Sequence, residues 1–334
     1  MCSQRKYEIN TSWLGVNNAA LKAPADTDEI YRQNGFRIIN PPTSPIMEKL
    51  RIGIIRRTLF TLTFLFRFNK NDEVHIQITG SRIANHIIRY IRHRVKKTVL
   101  LVHDVKFLRY GLETEKKNET DLYNKADEII IHTPAMADIL KREGVRTPMR
   151  ILTMFDYLTT SENTYNDPDI RSIVFAGNLQ KSKFISTFIK ASAEWHLPIY
   201  FYGDGKLPEM ETYPHTRHEG VFSPHDISQI KGAWGLVWDG AADISTADPY
   251  LKYNAPHKLS LYLASGKPVI IWSQSALNSF IVENKLGISV ENLLEIPVHL
   301  AKLTEKDYHE YKNNVQAISQ KLKSGGFLSA HLAG

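Results

Sequence analysis

Residues 250–271 have the sequence YLKYNAPHKLSLYLASGKPVII. The middle of this segment predicts a helix, because Asn254 is a residue type that caps helix N-termini and Pro256 suits a first turn. Gly266 ends the helix, and the apolar run at 268–272 predicts a buried strand. A helix that leads into a buried strand through a short glycine turn is typical of α/β folds.

Strand and helix patterns alternate on both sides of this segment. Apolar, β-branched runs without strict alternation predict buried parallel strands. They lie at 7–10, 74–79, 98–104, 128–133 and 149–156, and then at 172–178, 198–203, 220–223, 235–239, 268–272 and 287–290. Helical patterns separate them, for example at 81–97 and 134–144. The sequence therefore predicts two consecutive βαβ domains.

A polar stretch rich in Asn, Asp, Ser and Thr interrupts this alternation and predicts a domain boundary. We expect a first domain over 1–156, a linker over 157–171 and a second domain over 172–305. Residues 306–334 carry a predicted helix with an apolar stripe, which packs back across the domains or against another subunit. The stripe consists of Tyr308, Tyr311, Val315, Ile318 and Leu322.

Composition restricts the class of protein. The 334 residues are 43% hydrophobic and 23% charged, values typical of a globular chain. Cys2 is the only cysteine, which excludes a disulfide framework and a CxxC metal site and predicts a reducing compartment. No apolar run predicts a secretory signal or a transmembrane helix. We therefore expect a cytoplasmic protein.

Positive charge is concentrated in the first half of the chain. The net charge is +10 over residues 1–155 and −3 over residues 156–334. Basic residues cluster at 51–70 and 89–97, and such clusters suit an anionic surface, either lipid headgroups or nucleic acid. Because no nucleic-acid-binding motif accompanies them, solvated helix faces are the favoured interpretation, and nucleic acid is not an expected partner.

Lys258 falls in the first turn of the predicted helix. A cation there opposes the helix dipole, and this arrangement suits a bound anion, such as a diphosphate, between the two. The alternative is a lysine that points into water, because the unfavourable interaction with the dipole is only a few tenths of a kcal/mol.

The strand at 172–178 leads into a second candidate anion site. Gly177 and Asn178 predict a tight turn, and Lys181 and Lys183 follow before the next helix. Backbone N–H groups beside a lysine at the carboxyl end of a strand suit an anion, since α/β sheets bind ligands at that edge. An ordinary turn with solvated lysines is the alternative, because the chain contains neither GxGxxG nor a Walker motif.

Several segments together resemble a known family. In the second half they are AGNLQKSKF at 176–184, YGDG at 202–205, HEGVFSPHDI at 218–227, GLVWDG at 235–240 and YNAPHKLSLYLASGKPVI at 253–270. In the first half they are NNAALKAPADTDEIYRQNGF at 17–36, LLVHDVKFLR at 100–109 and ADEIIIHTPAMADILKREG at 126–144. The chain resembles bacterial GT-B glycosyltransferases, a group that includes galactofuranosyltransferase-like proteins and the glucosyltransferase 3-like enzymes that extend O-linked glycans on serine-rich repeat adhesins.

The resemblance implies an α/β GT-B fold, in which two Rossmann-like βαβ domains face each other across a cleft and a C-terminal helix follows. It implies a UDP-sugar bound mainly by the second domain, with Lys181 and Lys258 at the pyrophosphate. It further places Phe222 near the uracil and Tyr253 and Asn254 beside the phosphates. The family often has arginine at the position of Lys181, and lysine keeps the charge without the bidentate guanidinium.

The implied reaction is attack of an acceptor hydroxyl on the anomeric carbon with UDP as the leaving group, and an inverting enzyme needs a base for it. His103 and Asp104, at the carboxyl end of a predicted first-domain strand, are the candidate catalytic residues. The alternative is that Asp104 caps the next segment and His103 is buried. Candidate contacts to the acceptor or the sugar are Asn17, Asn18, Asp239 and Asp248.

Asp167-Pro-Asp169 matches the DxD motif by which another glycosyltransferase class binds a metal. It precedes a predicted strand rather than following one, so we interpret the match as chance. Two lysines and a helix N-terminus supply the positive charge that a diphosphate needs. We expect neither an essential metal nor a cofactor.

We therefore expect a UDP-sugar-dependent transferase that moves Glc, GlcNAc or Gal onto a GlcNAc-bearing glycan of an O-glycosylated serine-rich repeat adhesin. One alternative is a transferase, for example galactofuranosyl, that extends a lipid-linked cell-surface polysaccharide, with segment 51–70 at the membrane. A second alternative is a non-catalytic, nucleotide-binding partner of a glycosyltransferase. The expected partners are the UDP-sugar, a glycosylated protein, a peripheral membrane contact and further copies of the chain in a dimer or tetramer.

Overall fold

The computed structural model describes residues 4–11, 19–39, 67–78 and 81–333. The chain divides into two compact units, one of Met1–Thr153 with Leu328–Gly334 and the other of Met154–Phe327. Each unit contains one six-stranded sheet in which all neighbouring strands are parallel. The predicted pair of βαβ domains is therefore confirmed.

The first unit has the strand order β2-β1-β3-β4-β5-β6. Its strands are β1 (Lys6–Asn10), β2 (Arg37–Ile39), β3 (Glu73–Ile78), β4 (Lys97–Val102), β5 (Glu128–Ile131) and β6 (Met149–Ile151). Its described helices before the second unit are α1 (Ala19–Gln33), α2 (Ser81–Ile91), α3 (Lys106–Tyr110), α4 (Glu113–Tyr123) and α5 (Pro134–Arg142). Strands β4 and β5 are largely apolar and buried, as the absence of alternation predicts.

The second unit has the strand order β12-β11-β10-β7-β8-β9. Its strands are β7 (Ile173–Ala176), β8 (Ile199–Tyr202), β9 (Thr216–Gly220), β10 (Trp234–Val237), β11 (Val269–Trp272) and β12 (Gly287–Val290). Its α-helices are α6 (Phe184–Ala191), α7 (Glu209–Thr212), α8 (His257–Ala264), α9 (Asn278–Glu283), α10 (Ile296–Ala301) and α11 (Glu305–Lys323), and a last helix, α12 (Gly326–Leu332), begins here and ends in the first unit. Short 3-10 helices lie at Ser192–Glu194, Pro249–Lys252 and Leu293–Glu295.

Each sheet contains a point where the direction of winding reverses. The chain runs from β7 through β8 to β9 and then returns to β10 on the other side of β7. In the first sheet, β1 likewise lies between β2 and β3. The loops that leave the two strands at such a point turn away from each other, so the carboxyl edge of the sheet is open to a ligand there.

Residues 157–171, predicted as a linker, are part of the second unit. The Asn163 side-chain amide donates to the backbone carbonyls of Ile227 and Ile230, at 3.0 and 2.9 Å. The polar side chains that suggested a free linker instead satisfy backbone groups of a neighbouring loop, which places this segment on the second unit.

Two helices, rather than one, occupy the predicted C-terminal helix region 306–334. Helix α11 begins with a capping box, in which Thr304 accepts from the Asp307 amide and Asp307 bonds back to Thr304. Its apolar stripe packs within the second unit, since Tyr308 and Tyr311 lie against Trp234 with ring centroids 5.8 and 5.3 Å away. Val315 and Leu322 of the stripe are buried as well, so most of the stripe packs against its own unit, and its role in a subunit interface stays a prediction. In the described part of the chain, no helix is both long and apolar enough to cross a membrane.

The first residue of β12 requires glycine because the neighbouring strand approaches it closely. A Cβ at Gly287 would lie 2.1 Å from the carbonyl oxygen of Val269, its partner in β11. We expect Gly287→Ala to lower the free energy of unfolding by about 3 kcal/mol, because backbone would have to move. A denaturant titration measures the loss.

Gly266→Ala is the matched control for this substitution. Gly266 has a φ of +69° and open space around its Cβ position, so alanine there meets only the cost of the left-handed conformation, about 1 kcal/mol. Equal losses for the two variants would contradict the proposed close approach of β11 and β12.

Candidate functional site

The predicted nucleotide-sugar-binding residues of the second unit, together with the candidate sugar contact Asp239, lie at or beyond the carboxyl ends of its strands. They come from the loops after β7, β9 and β10 and from the beginning of α8, which connects β10 to β11. Those residues are Gly177, Asn178, Lys181, Phe222, Asp239, Tyr253, Asn254 and Lys258. The sheet therefore places them at its ligand-binding edge.

Helix α8 begins later than its sequence suggests. Its N-cap is Pro256, without a side-chain cap, so the expectation that Asn254 is the N-cap was wrong. The Asn254 amide instead donates to the carbonyl of Tyr250 and continues the preceding 3-10 turn. Lys258 still lies in the first turn, as predicted.

The Lys258 ammonium lies at the point where winding reverses between β7 and β10. Nζ donates to the carbonyl oxygen of Trp238 and to Asp239 Oδ1, both at 2.7 Å, and lies 4.5 Å from the ring centroid of Phe175 in β7. The side chain is 13% exposed, which excludes a lysine that simply points into water. An ammonium has three N–H donors, so this geometry leaves one of them for a ligand.

Two buried polar atoms in the segments that flank the Lys258 site lack hydrogen-bond partners among the described residues. They are Trp238 Nε1, immediately before Asp239, and Asn254 Oδ1, in the loop that leads to α8. A buried donor or acceptor without a hydrogen bond costs about 1–3 kcal/mol. A ligand with several hydroxyl or phosphate oxygens suits such a surrounding. Asp239 is 42% exposed and accessible to it.

The turn after β7 forms as predicted. Asn178 Oδ1 accepts from the Lys181 amide at 2.9 Å, and α6 begins three residues later. The Gly177 amide donates to the Tyr202 carbonyl, and a Cβ on Gly203, whose φ is +141°, would lie 1.8 Å from the Gly177 carbonyl oxygen. The loops after β7 and β8 are thus packed directly together, with the Lys181 side chain exposed.

Phe222 and Asp248 also have defined surroundings. Phe222, beyond β9, is half-buried and packs edge-on against Tyr202 with ring centroids 5.5 Å apart. Asp248 caps the 3-10 helix Pro249–Lys252 by accepting from the Tyr250 amide at 2.9 Å, and its own amide donates to the Asp239 carbonyl. The carboxylate of Asp248 therefore orders its own loop, and its backbone amide joins that loop to Asp239.

In the first unit, His103 and Asp104 follow β4. Asp104 pairs with Arg109 at 2.6 Å, and α3 has Val105 as its N-cap, so the alternative of a capping Asp104 was wrong. His103 is half-buried, and its Nε2 lies 2.7 Å from Gln77 Oε1. Asn17 and Asn18 lie outside the described residues.

A buried polar cluster in the first unit was not predicted. Gln77 Nε2 donates to Glu8 Oε1 at 2.9 Å and to Asp28 Oδ1 at 2.5 Å. The Asn10 amide donates to both oxygens of Asp28, at 2.8 and 3.0 Å. The signal in the sequence was present, since Glu8 and Gln77 are polar residues inside otherwise buried strands.

Burial controls the protonation of this cluster. Glu8 and Gln77 are fully buried. Loss of hydration, and then the nearby Asp28 carboxylate, raise the pKa of Glu8 well above its usual range. Loss of hydration also raises the pKa of Asp28 to about 6, against the hydrogen bonds from Asn10 and Gln77.

Comparison with known proteins identifies the family. The model of the glucosyltransferase 3-like N-terminal domain matches residues 7–154, and the model of the corresponding C-terminal domain matches residues 173–333. The chain belongs to the glucosyltransferase 3-like family. The resemblance seen in the sequence is confirmed, and the chain is a glycosyltransferase rather than a non-catalytic partner.

The chain is similar in sequence to two proteins that are named as glycosyltransferases. The β-1,6-galactofuranosyltransferase WbbI of Escherichia coli K12 is 28% identical over 335 residues, which cover 96% of this chain and 95% of WbbI. Glucosyltransferase 3 of Streptococcus gordonii is 29% identical over 238 residues, which cover 69% of this chain and 68% of the relative.

Solved structures resemble the glycosyltransferase in fold. The structure of HepE from Anabaena with UDP and glucose has a TM-score of 0.63 at 13% identity, over 99% of this chain and 98% of that chain. Sucrose-phosphate synthase from Thermosynechococcus elongatus has a TM-score of 0.60 at 13% identity, over 98% and 93%. The predicted GT-B fold is confirmed.

The two aspartates of the DxD match, Asp167 and Asp169, are bonded to other residues of the chain. The Asp167 side chain is 5% exposed, accepts from the Gly232 amide at 2.5 Å and pairs with Lys267 at 3.1 Å, while Asp169 pairs with Arg171 at 3.2 Å. Both carboxylates are thus used in holding the segment before β7. Within the described ranges, no group of three or more Cys, His, Asp or Glu residues could hold a metal ion.

The buried carboxyl of Glu8 makes stability depend on pH. Because the pKa of Glu8 is higher in the folded than in the unfolded chain, its carboxyl contributes fully to the free energy of unfolding below the unfolded-state pKa. This contribution is lost as the pH rises through the folded-state pKa. Glu8→Gln removes this ionisation and leaves an amide that donates to Asp28. We expect the melting temperature of the variant, relative to wild type, to increase progressively from pH 4.5 to pH 8.

Glu113→Gln is the control for this pH series. The Glu113 side chain is 84% exposed, so its substitution should shift the melting temperature by a small, constant amount. A difference between Glu8→Gln and wild type that does not change with pH would contradict the raised pKa of Glu8.

Proposed function

We propose that this glycosyltransferase transfers a hexose or N-acetylhexosamine, Glc, GlcNAc or Gal, from a UDP-sugar onto a GlcNAc-bearing glycan of a serine-rich repeat adhesin. The observation that carries the donor assignment is the Lys258 ammonium, held by Trp238 and Asp239 where the second sheet reverses its winding. The similarity to two streptococcal glucosyltransferases 3 and the name of a structural neighbour, a pneumococcal O-GlcNAc transferase with UDP and GlcNAc, support the protein-linked acceptor.

The diphosphate of the donor binds at the N-terminus of α8 in this proposal. The first backbone N–H groups of the helix and the third N–H of Lys258 point towards it, and the exposed Lys181 adds a second positive charge. These groups stabilise UDP as negative charge develops on the leaving oxygen. Phe222 stacks near the uracil, and Tyr253 and Asn254 border the phosphates.

Asp239 binds the donor sugar in this proposal. Its carboxylate is already bonded to Lys258 and is partly exposed, so it accepts hydrogen bonds from sugar hydroxyls while its charge remains compensated. The orphan groups, Trp238 Nε1 and Asn254 Oδ1, gain partners from the same ligand.

On the acceptor side, His103 is the proposed base. The acceptor hydroxyl gives its proton to the imidazole, its oxygen bonds to the anomeric carbon, and the bond from that carbon to the diphosphate oxygen breaks. Asp104, the next residue, is already paired with Arg109 and is the second proposed catalytic residue. Asn17 and Asn18 are proposed to contact the acceptor or the donor sugar.

A second candidate is galactofuranosyl transfer onto a lipid-linked polysaccharide. The similarity to WbbI, which covers almost the full length of both chains, favours this donor sugar. A peripheral membrane contact through segment 51–70 belongs to this candidate, and that segment lies outside the described residues. Melting-temperature shifts with UDP-Glc, UDP-GlcNAc, UDP-Gal and UDP-galactofuranose distinguish the donors, and a GlcNAc-modified serine peptide tests the protein-linked acceptor.

Lys258→Ala tests the proposed diphosphate site. We expect turnover with the best donor to fall about 10²-fold or more, because a preorganised charge is lost from the leaving group. We also expect a weaker UDP-induced melting shift and some loss of stability, since the carbonyl of Trp238 and the carboxylate of Asp239 lose their donor.

Lys183→Ala is the control for Lys258→Ala. Lys183 is an exposed lysine beside the same sheet edge, so its removal changes the net charge equally without touching the site. Normal turnover in Lys258→Ala, or an equal loss in both variants, would remove Lys258 from the proposed site.

A second expectation concerns metal ions. Because α8 and two lysines are proposed to supply the positive charge, activity in excess EDTA should stay within a few-fold of that with added magnesium or manganese. Complete loss in EDTA that manganese restores would show that a metal ion carries that role instead.

A homo-oligomer, dimer or tetramer, remains part of the proposal. Most of the stripe of α11 packs against its own unit, and its role in the interface stays a prediction. The family resemblance noted in the sequence supports this assembly.

A further inference from the structure

We propose that Gln77 is a positioning residue that fixes the proton of neutral His103 on Nε2 and thereby sets its basic lone pair on Nδ1. This inference rests on the proposed role of His103 as the base. It extends that role to a residue on a different strand, β3, and to a specific nitrogen atom of the imidazole.

The orientation of the Gln77 amide is determined by its neighbours. Its Nε2 faces the carboxyl oxygens of Glu8 and Asp28, at 2.9 and 2.5 Å, and the carbonyl oxygen of Pro24 at 3.4 Å. A flipped amide would place Oε1 against the same three oxygens. Even a protonated Glu8 would satisfy only one of these contacts, because Asp28 already accepts from Asn10 through both of its oxygens.

The amide orientation determines the tautomer of His103. Since Gln77 Nε2 faces the carboxyl groups, Oε1 faces His103 Nε2 at 2.7 Å. This oxygen accepts only, so Nε2 must carry a hydrogen. A neutral imidazole has one N–H, and the lone pair that accepts a proton is then on Nδ1.

Burying these polar side chains is unfavourable for folding, which indicates that they have a function other than packing. Glu8 and Gln77 are fully buried inside a parallel sheet, where apolar residues are the ordinary occupants. Glu8 also shares a hydrogen bond with Asp28, so a second carboxyl group is committed to the same cluster. Thr11 Oγ1 donates to the Gln77 carbonyl at 2.5 Å and further restrains the residue. Such a network holds one side chain, Gln77, in a single orientation.

The first test is the tautomer itself, measured by long-range ¹H–¹⁵N NMR on the full chain labelled with ¹⁵N-histidine. The His103 signals are assigned by their loss in His103→Gln. We expect the neutral imidazole of the wild type to carry its proton on Nε2. A proton on Nδ1 would overturn the proposal, and this measurement needs neither a substituted Gln77 nor a known donor.

The second test is Gln77→Met, which keeps the length of the side chain but removes the acceptor oxygen. We expect a mixture of both His103 tautomers and a fall in kcat of about 10²-fold, with the donor KM changed less than about twofold. The assay uses the UDP-sugar with the largest melting shift and a GlcNAc-modified serine peptide. An unchanged tautomer and kcat in a folded variant would overturn the proposal.

The matched control is Thr98→Val, at another fully buried polar position, on the adjacent strand β4. Its hydroxyl donates to Asp127 at 2.8 Å, so the variant loses a buried hydrogen bond without touching the Gln77 cluster. It should lower stability but leave the tautomer and kcat unchanged; an effect equal to that of Gln77→Met would mean a merely structural role. Failure of the proposed function is separately visible as the absence of any donor-induced melting shift in the wild type.

Discussion

In both sheets, the strand that comes first in the chain lies inside the sheet, and later strands are added on both of its sides. Thus β1 lies between β2 and β3, and β7 lies between β8 and β10. Because all neighbours are parallel, the loops that leave these strands turn apart and keep the carboxyl edge of the sheet open. Lys258 lies at this point of the second sheet, and Gln77 belongs to one of the two strands that form it in the first.

Buried charge has different roles at the two edges of the second sheet. Asp167 pairs with Lys267 immediately before β11, and burial lowers the pKa of that lysine despite the carboxylate. The pair holds the segment before β7 at the amino edge, where a parallel sheet has no ligand site. At the carboxyl edge, Lys258 is also paired, but its partner Asp239 remains partly exposed. Exposure of the partner is what makes the second pair accessible to a ligand.

The carboxyl edge of the first sheet carries a cluster of carboxyl and amide side chains, whereas that of the second sheet carries a lysine. The carboxyl groups of Glu8 and Asp28 are close enough that one raises the pKa of the other. Gln77 connects this pair to His103 through a single amide. In the proposed reaction, the Lys258 site supplies a positive environment for the leaving diphosphate, and the cluster around Gln77 orients the proton acceptor for the incoming hydroxyl.

The sequence alone determined the βαβ pattern, the first-turn position of Lys258 and the turn after β7. These features depend on apolar periodicity and on residues a few positions apart, so neighbours in the chain decide them. Resemblance to a family added the proposed donor-site residues of the second unit. The tertiary structure alone decided which groups Lys258 contacts, that Asn254 is not a cap, and that the polar segment 157–171 is part of the second unit. It also revealed the Glu8–Gln77 contact, between residues 69 positions apart, because strand order and not local sequence places β1 beside β3.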